Sequence, residues 1–174
     1  MNSRKSWIRS GSIVAAGLLF AWSSATAGDS KEKKFHARLD GAQETPSIST
    51  GATGTFEATL NSAGNSLSYE LEYSGLEGGN TLFAHVQIGQ FDVAGGVMFF
   101  LCGGGNKPAC PNGSATVTGT VTAADVIGPS GQGISPGQFD EAIRAMRDGI
   151  AYANVHTVTY PSGEIRGQIN HRGR

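Results

Sequence analysis

Two histidines and a glutamine are the side chains whose types and spacing best suit metal chemistry. His85 and Gln87 are two positions apart, so a strand would place both on one face, and His156 lies in a second strand-like segment. If those strands are neighbours, the two imidazoles and one further oxygen could hold a copper or zinc ion. Phe83 and Tyr152 would then border the site.

A structural role for the same histidines stays open beside the metal role. A buried histidine can bridge strands through its two ring nitrogens and needs no metal to do so. Gln87 is a weak metal ligand, and the sequence points to no third strong ligand. The sequence alone is therefore compatible with both the metal-binding role and the structural role.

A second group of charged residues could bind a carboxylate or fix the fold. Glu164 and Arg166 would share one face of a strand, and Glu44 approaches Arg166 if the first and last strands pair. We expect an ion pair that fixes the fold, with a substrate-binding arginine as the alternative. The motifs G-x-S-x-G, H-E-x-x-H and the P-loop are absent from the sequence, so it assigns no catalytic residue.

The two cysteines, Cys102 and Cys110, bracket a glycine-rich loop. An even number of cysteines in an exported chain favours a disulfide. A two-thiolate metal site is the alternative, but it lacks a third ligand and the usual spacing of about two to four residues. We therefore expect a Cys102–Cys110 disulfide.

Strands must position these residues, and the sequence predicts them from apolar residues at every second position. Turn residues separate the segments, which indicates an all-β fold. We predict a Greek-key, immunoglobulin-like or superoxide-dismutase-like β-sandwich of about eight or nine strands. The predicted strands lie near 35–40, 55–60, 67–73, 82–88, 97–101, 116–122, 152–160 and 164–169.

One segment, 136–148, predicts a short helix instead. Pro136 suits the first helical position, and Gly149 can end the helix with a positive φ angle. An apolar face would lie across the sheets. It consists of Phe139, Ala142, Ile143 and Met146.

The composition limits the function classes. The chain has 174 residues, which suits one domain, and 16% of them are charged, with a formal net charge of -1. A nucleic-acid binder would show a basic stripe, and none is present. The alternating apolar segments also argue against disorder.

The first 27 residues carry the pattern of a secretory signal peptide. Basic residues precede the ten mostly apolar residues Ile13–Trp22, and Ala25–Ala27 forms a small-x-small cleavage motif. Ten apolar residues are too few to cross a bilayer, which needs about 20. We expect cleavage after residue 27, a flexible lead-in over 28–34, and an exported domain without membrane insertion, in the periplasm or outside the cell.

Several strand and turn motifs stand in order along the chain: Gly41–Pro46, Thr50–Gly54, Leu67–Tyr69, Ser74–Leu76, Ala84–Gly89, Asp148–Gly149, Tyr152–Thr157 and Tyr160–Ile169. Together they resemble the chordin-type (CHRD) domain family over residues 35–170, with 171–174 left as a flexible tail. The resemblance implies a β-sandwich-like domain that occurs in chordin and in stand-alone exported bacterial proteins. It implies no settled enzymatic activity.

One departure from that family bears on the metal hypothesis. Many members have His-x-His where this chain has His85-Val86-Gln87, so a function that needs two histidines on that strand does not carry over. The family pattern is similar to a strand of copper/zinc superoxide dismutases. Their dinuclear site needs more histidines than the four of this chain, so only a mononuclear site could form here.

These observations predict an exported, non-enzymatic binding or structural domain with an unidentified protein or glycan partner. The alternative is a mononuclear copper- or zinc-binding protein that uses His85, His156 and Gln87. Redox chemistry would be an extension of that second role.

Overall fold

The computed structural model describes residues 33–169. Within that range, eight strands form one antiparallel sheet, joined by one α-helix and three short 3-10 turns. The strands are β1 (Lys34–Asp40), β2 (Thr53–Leu60), β3 (Leu67–Ser74), β4 (Thr81–Ile88), β5 (Gly96–Cys102), β6 (Ala115–Val121), β7 (Ala151–Thr157) and β8 (Ile165–Gln168). The 3-10 turns are Gly41–Gln43, Ala123–Asp125 and Ser130–Gln132.

The alternating sequence pattern decides which face of each strand enters the core. In β3 every second residue is buried, from Leu67 to Tyr73, and the residues between them are exposed. The register places Phe56 of β2 and Val117 of β6 on either side of Leu71. Burial of this apolar face is the main favourable term for the fold.

The strand order is β5-β4-β7-β8-β1-β2-β3-β6, and the sheet curls into a nearly closed barrel. The all-β class and the strand number are confirmed. The sandwich is not confirmed in its Greek-key, immunoglobulin-like or superoxide-dismutase-like form. The reason is that β1 pairs with β2 along its length and with β8 at Asp40–Arg166, which joins all the strands in one sheet.

The predicted helix exists but is shorter than the predicted range 136–148. Helix α1 spans Phe139–Arg147, since Gly137 has a left-handed φ of 84° and Gln138 is a non-helical N-cap. Gly149 follows the helix with a φ of 69°, as predicted. All four residues of the predicted apolar face are buried.

The predicted segment boundaries near the two ends of the chain can be compared with the structure only in part. Strand β1 begins at Lys34, inside the predicted lead-in, because Lys34 pairs with Thr59 of β2. The predicted signal peptide (1–27) and tail (171–174) lie outside the described residues. Within residues 33–169, no helix is both long enough and apolar enough to span a membrane.

Candidate functional site

The outward face of strands β4, β7 and β8 carries most of the polar side chains that the sequence analysis singled out. The register places His85 opposite Asn154 and Phe83 opposite His156, and Asn154 also pairs with Arg166. All of these polar residues are buried, although they point away from the apolar core. The segments that follow β1 and β7 cover them. The outward residues are Phe83, His85 and Gln87 on β4, Tyr152, Asn154 and His156 on β7, and Arg166 and Gln168 on β8.

His85 and His156 lie side by side because β4 and β7 are neighbouring strands. Their ring centroids are 4.5 Å apart, and the ring planes are inclined by 50°. His156 Nδ1 is 3.0 Å from the carbonyl oxygen of Pro161. Because that oxygen can only accept, Nδ1 carries the proton, and Nε2 keeps its lone pair.

Each imidazole has one buried nitrogen without a partner. Neither His85 Nδ1 nor His156 Nε2 has a hydrogen-bond partner among the residues that the structure describes. Buried polar atoms in proteins are nearly always hydrogen-bonded, so two such atoms on adjacent rings need an explanation. His156 Nε2 can accept a bond from a ligand, and His85 Nδ1 can do so in the tautomer that carries its proton on Nε2.

Both imidazoles are neutral at pH 7. Burial, with a smaller contribution from the neighbouring His156, lowers the pKa of His85 to about 3. Burial also lowers the pKa of His156 to about 4, against the hydrogen bond to Pro161. A neutral imidazole offers its lone pair to a metal ion, whereas a protonated one cannot.

Two phenylalanines border the imidazoles. The ring centroid of Phe83 is 4.6 Å from that of His156 and 5.4 Å from that of His85. Phe100 of β5 stands edge-on to His85, with a centroid separation of 5.4 Å. The pair is thus enclosed largely by apolar rings, which limits the access of water.

Gln87 belongs to a different set of hydrogen bonds. Its Nε2 donates to the carbonyl oxygen of Gly95 at 3.1 Å, and its Oε1 accepts from Asn154 Nδ2 at 3.4 Å. These bonds occupy both ends of the Gln87 amide. The described residues also contain no group of three or more His, Cys, Asp or Glu side chains placed to hold a metal. A metal ion bound here would therefore have the two histidines as its protein ligands.

Arg166 contacts an aromatic ring and neutral oxygens. Its Cζ lies 3.7 Å from the ring centroid of Tyr152. Its guanidinium donates to the carbonyl oxygen of Val93 at 3.2 Å and to the hydroxyl of Thr45 at 3.4 Å. Within the described range, the ion pair predicted with Glu44 or Glu164 is not formed as a direct salt bridge. These bonds hold the loops before β2 and before β5 against β8.

Glu164 is a fully buried carboxylate that four donors surround. The backbone N–H groups of Glu77 and Gly78 donate at 2.7 and 3.0 Å, and the hydroxyls of Thr157 and Thr50 donate at 2.8 and 3.0 Å. Its carboxylate contacts none of the groups that Arg166 contacts, and β8 begins one residue after it, at Ile165. Its contacts give it a structural role, which ties three loops to β7.

Glu44 is 5% exposed and lies near Arg166 without touching it. Burial raises the pKa of Glu44 to about 7, although the Arg166 guanidinium acts in the opposite direction. Gly163 has a φ of 129°, and a Cβ there would stand 2.5 Å from Glu44 Oε1 and 2.7 Å from Asn154 Oδ1. Both oxygens therefore face the space that glycine leaves open.

The sequence analysis did not single out Asn154 or Gly163 as site residues. An asparagine in mid-strand between apolar neighbours is unusual, and it was an available signal for a buried polar contact. Gly163 stands in the sequence analysis only as a member of the motif Tyr160–Ile169. Its second role is to leave room for the side chains of Glu44 and Asn154, and this role depends on long-range packing.

Cys102 and Cys110 form the predicted disulfide, with their Cα atoms 5.0 Å apart. The loop between them is also closed by a hydrogen bond of 2.7 Å from the N–H of Gly103 to the carbonyl oxygen of Pro108. The disulfide prediction is confirmed. It fixes the loop at the end of edge strand β5.

A groove of about 730 Å³ lies on the outward face of strands β1, β2, β3 and β6. Its polar lining includes Arg38, Asp40 and Glu72, together with several hydroxyl groups. None of the histidines within residues 33–169 lines it, and a solvated sheet face accounts for its polarity. The histidine pair is the stronger chemical candidate.

The family model described as the CHRD domain matches residues 35–169. No curated protein and no solved structure matches the chain.

Proposed function

The chain belongs to the CHRD domain family, as its motifs predicted, and we propose that it is an exported, non-enzymatic binding domain that holds one copper or zinc ion at His85 and His156. The family match and the disulfide are both consistent with an exported protein. The observation that carries the metal assignment is the pair of unpartnered, buried nitrogens on adjacent neutral imidazoles.

The separation of the rings supports two bonds to one ion. Two imidazoles bound at about 2.0–2.1 Å, with an angle near 90–110° at the metal, hold their ring centroids roughly 4.5–5 Å apart. The observed separation is 4.5 Å. A linear two-coordinate ion would need roughly 6 Å between the centroids at the same bond lengths. The centroid separation is therefore the one expected for adjacent positions of a tetrahedral or tetragonal ion and is too short for a linear one.

Two protein ligands leave open coordination positions. Water or a group from a binding partner would fill them, so the bound ion would exchange more readily than one in a closed four-ligand site. Imidazole ligands suit both metals, and the general affinity order places Cu²⁺ above Zn²⁺. We expect copper to bind more tightly than zinc.

A purely structural role makes the opposite prediction. In that account, His85 and His156 only fill the space between β4 and β7, and the two nitrogens never meet a ligand. Metal would then leave the stability of the protein unchanged, whereas a ligand that binds only the folded state adds about 2.7 kcal/mol at a hundredfold excess over Kd.

Equilibrium dialysis of the purified protein against Cu²⁺ or Zn²⁺, with the bound metal counted per chain, tests the proposal. We expect one ion per chain, and a loss of affinity of at least roughly tenfold in His85→Gln and in His156→Gln. His36→Gln is the matched control, because His36 is an exposed histidine on β1. Metal binding that survives both site variants, or no binding at all, would overturn the assignment.

A further inference from the structure

A chain of polar contacts runs along the outward face from the carbonyl oxygen of Gly95 to Glu44. Gln87 donates to Gly95, and Asn154 donates to Gln87. At the next position, Asn154 Oδ1 and Glu44 Oε1 both lie against Gly163. Neither oxygen has a hydrogen-bond partner in the described part of the chain.

In the observed orientation, a hydrogen is missing between these two oxygens. The Gly95 carbonyl can only accept, so Gln87 turns its NH₂ group towards Gly95 and its oxygen towards Asn154, and Asn154 turns its NH₂ group towards Gln87. Asn154 Oδ1 and Glu44 Oε1 are then left beside the same gap, although Asn154 Nδ2 would also stand 2.8 Å from a Cβ at Gly163. A proton on Glu44 supplies the donor that the two oxygens lack.

We propose that Glu44 is a neutral carboxylic acid in the folded protein, that its Oε1–H donates to Asn154 Oδ1, and that loss of this proton loosens the segment Gly41–Ala52 from the outward face. The proposal rests on the direction of the hydrogen bonds and on the space beside Gly163. It does not depend on metal binding.

The surroundings of Glu44 favour the neutral form. Burial is the dominant influence and raises its pKa to about 7. The titratable groups that face it within residues 33–169 are the Arg166 guanidinium of β8 and the Tyr152 hydroxyl of β7. Arg166 and a hydrogen bond to the Thr45 backbone both lower the pKa of Glu44, but burial outweighs them, and Arg166 is already engaged with Val93 and the Tyr152 ring. The carboxyl group therefore changes its charge close to neutral pH.

The consequence falls on the segment that carries Glu44. Near Glu44, two hydrogen bonds of 3.4 Å hold this segment on β8, one from Arg166 to Thr45 and one from the N–H of Gln168 to Gln43. At its far end, Thr50 donates to Glu164 and the N–H of Gly51 donates to Glu77, both at 3.0 Å, so the part around Glu44 should loosen most. Once Glu44 ionises, its oxygen and Asn154 Oδ1 meet as two acceptors, which is unfavourable for buried groups. The segment should then open more often.

Hydrogen exchange of residues 41–52 in the full-length protein tests this, measured one pH unit below and one above the Glu44 pKa of about 7. After correction for intrinsic exchange rates, we expect local opening to increase in the parent by up to roughly tenfold per pH unit, as release of one proton requires. Glu44→Gln keeps a donor towards Asn154 but cannot titrate, so its opening should not change with pH. Glu72→Gln, which removes an exposed carboxylate of β3, should behave like the parent.

A ¹³C titration of the Glu44 carboxyl carbon in the parent needs no variant and covers the case in which Glu44→Gln fails to fold. We expect a midpoint near neutrality. A midpoint in the ordinary range for glutamate would overturn the proposal. Equal loss of protection in Glu44→Gln at both pH values would also overturn it, because it would show that the ionised form is the one required.

Discussion

The hydroxyl of Tyr69 on β3 donates a hydrogen bond of 2.7 Å to the carbonyl oxygen of Leu101 on edge strand β5. The bond crosses from one half of the sheet to the other near the two edge strands. The ring reaches that position over Gly119 of β6, where a Cβ would stand 2.3 Å from the Tyr69 hydroxyl. One side chain thus helps to hold the sheet nearly closed.

Tyr69→Phe should lower the free energy of unfolding by about 1–2 kcal/mol, because it leaves the buried Leu101 carbonyl without its donor. Urea denaturation measures the loss. Hydrogen exchange should also increase in β5 and β6 more than in β1. An unchanged free energy of unfolding would mean that the sheet edges are held together by apolar packing alone.

Glu164→Gln should be far more damaging than the loss of an exposed carboxylate. All four contacts to Glu164 are donors, so an amide NH₂ in place of one oxygen would face other hydrogens. We expect a loss of about 2–4 kcal/mol. Glu70→Gln on the exposed face of β3 is the control and should stay within about 0.5 kcal/mol of the parent. Equal effects in the two variants would refute the structural role of Glu164.

Gly163→Ala should destabilise the protein by at least about 2–3 kcal/mol, because the new Cβ meets Glu44 and Asn154 and the backbone is in a conformation that favours glycine. Gly131→Ala has open space around its Cβ and should change the stability by at most about 0.5 kcal/mol. Thermal melting of the two variants side by side gives the comparison. A tolerated alanine at position 163 would show that the space beside Glu44 is larger than described.

Acid should destabilise the protein through its two buried histidines. The pKa values of His85 and His156 are lowered to about 3 and about 4, so the stability that their neutral forms confer is complete above pH 6.5 and is lost as the pH falls from 6.5 to those values. Each histidine contributes a slope of about 1.4 kcal/mol per pH unit between pH 6.5 and its own folded-state pKa. Glu44, with a raised pKa, acts in the opposite sense between pH 7 and 4.5. The net loss should therefore be steepest between pH 4.5 and about 4, where both histidines contribute and Glu44 no longer opposes them.

Urea titrations across this pH range measure these slopes. His156→Gln should flatten the loss between pH 6.5 and about 4, whereas Glu44→Gln should steepen the loss between pH 6.5 and 4.5, because the opposing gain is gone. If the free energy of unfolding falls with the same slope at low pH in His85→Gln and in His156→Gln, other groups cause the loss.

Local patterns predicted the elements of this fold well, because each reports which face of one segment is buried. The alternation in β3 and the apolar face of α1 are of this kind. The start of the helix was misplaced because the left-handed Gly137 ends the preceding turn, and the sequence does not reveal the φ angle of a single glycine. Local spacing likewise suggested a pair of Glu164 and Arg166, but the two side chains have different partners, which come from distant segments.

Contacts between distant segments could be predicted only on the condition that particular strands pair. The sequence placed His85 and His156 on strands, but the pairing of β4 with β7 that brings them together is a property of the whole sheet. The same limit explains the sandwich prediction, since one ladder position, Asp40–Arg166, decides whether β1 and β8 join. Asn154 and Glu44 acquire their roles only in that sheet.

The most direct measurement of the central claim is a crystal structure of the protein grown with zinc, with the ion located by its anomalous scattering. We predict one peak at about 2.0–2.1 Å from a ring nitrogen of both His85 and His156. A peak at another residue only, or none at the pair at a zinc concentration that saturates binding in dialysis, would contradict the account.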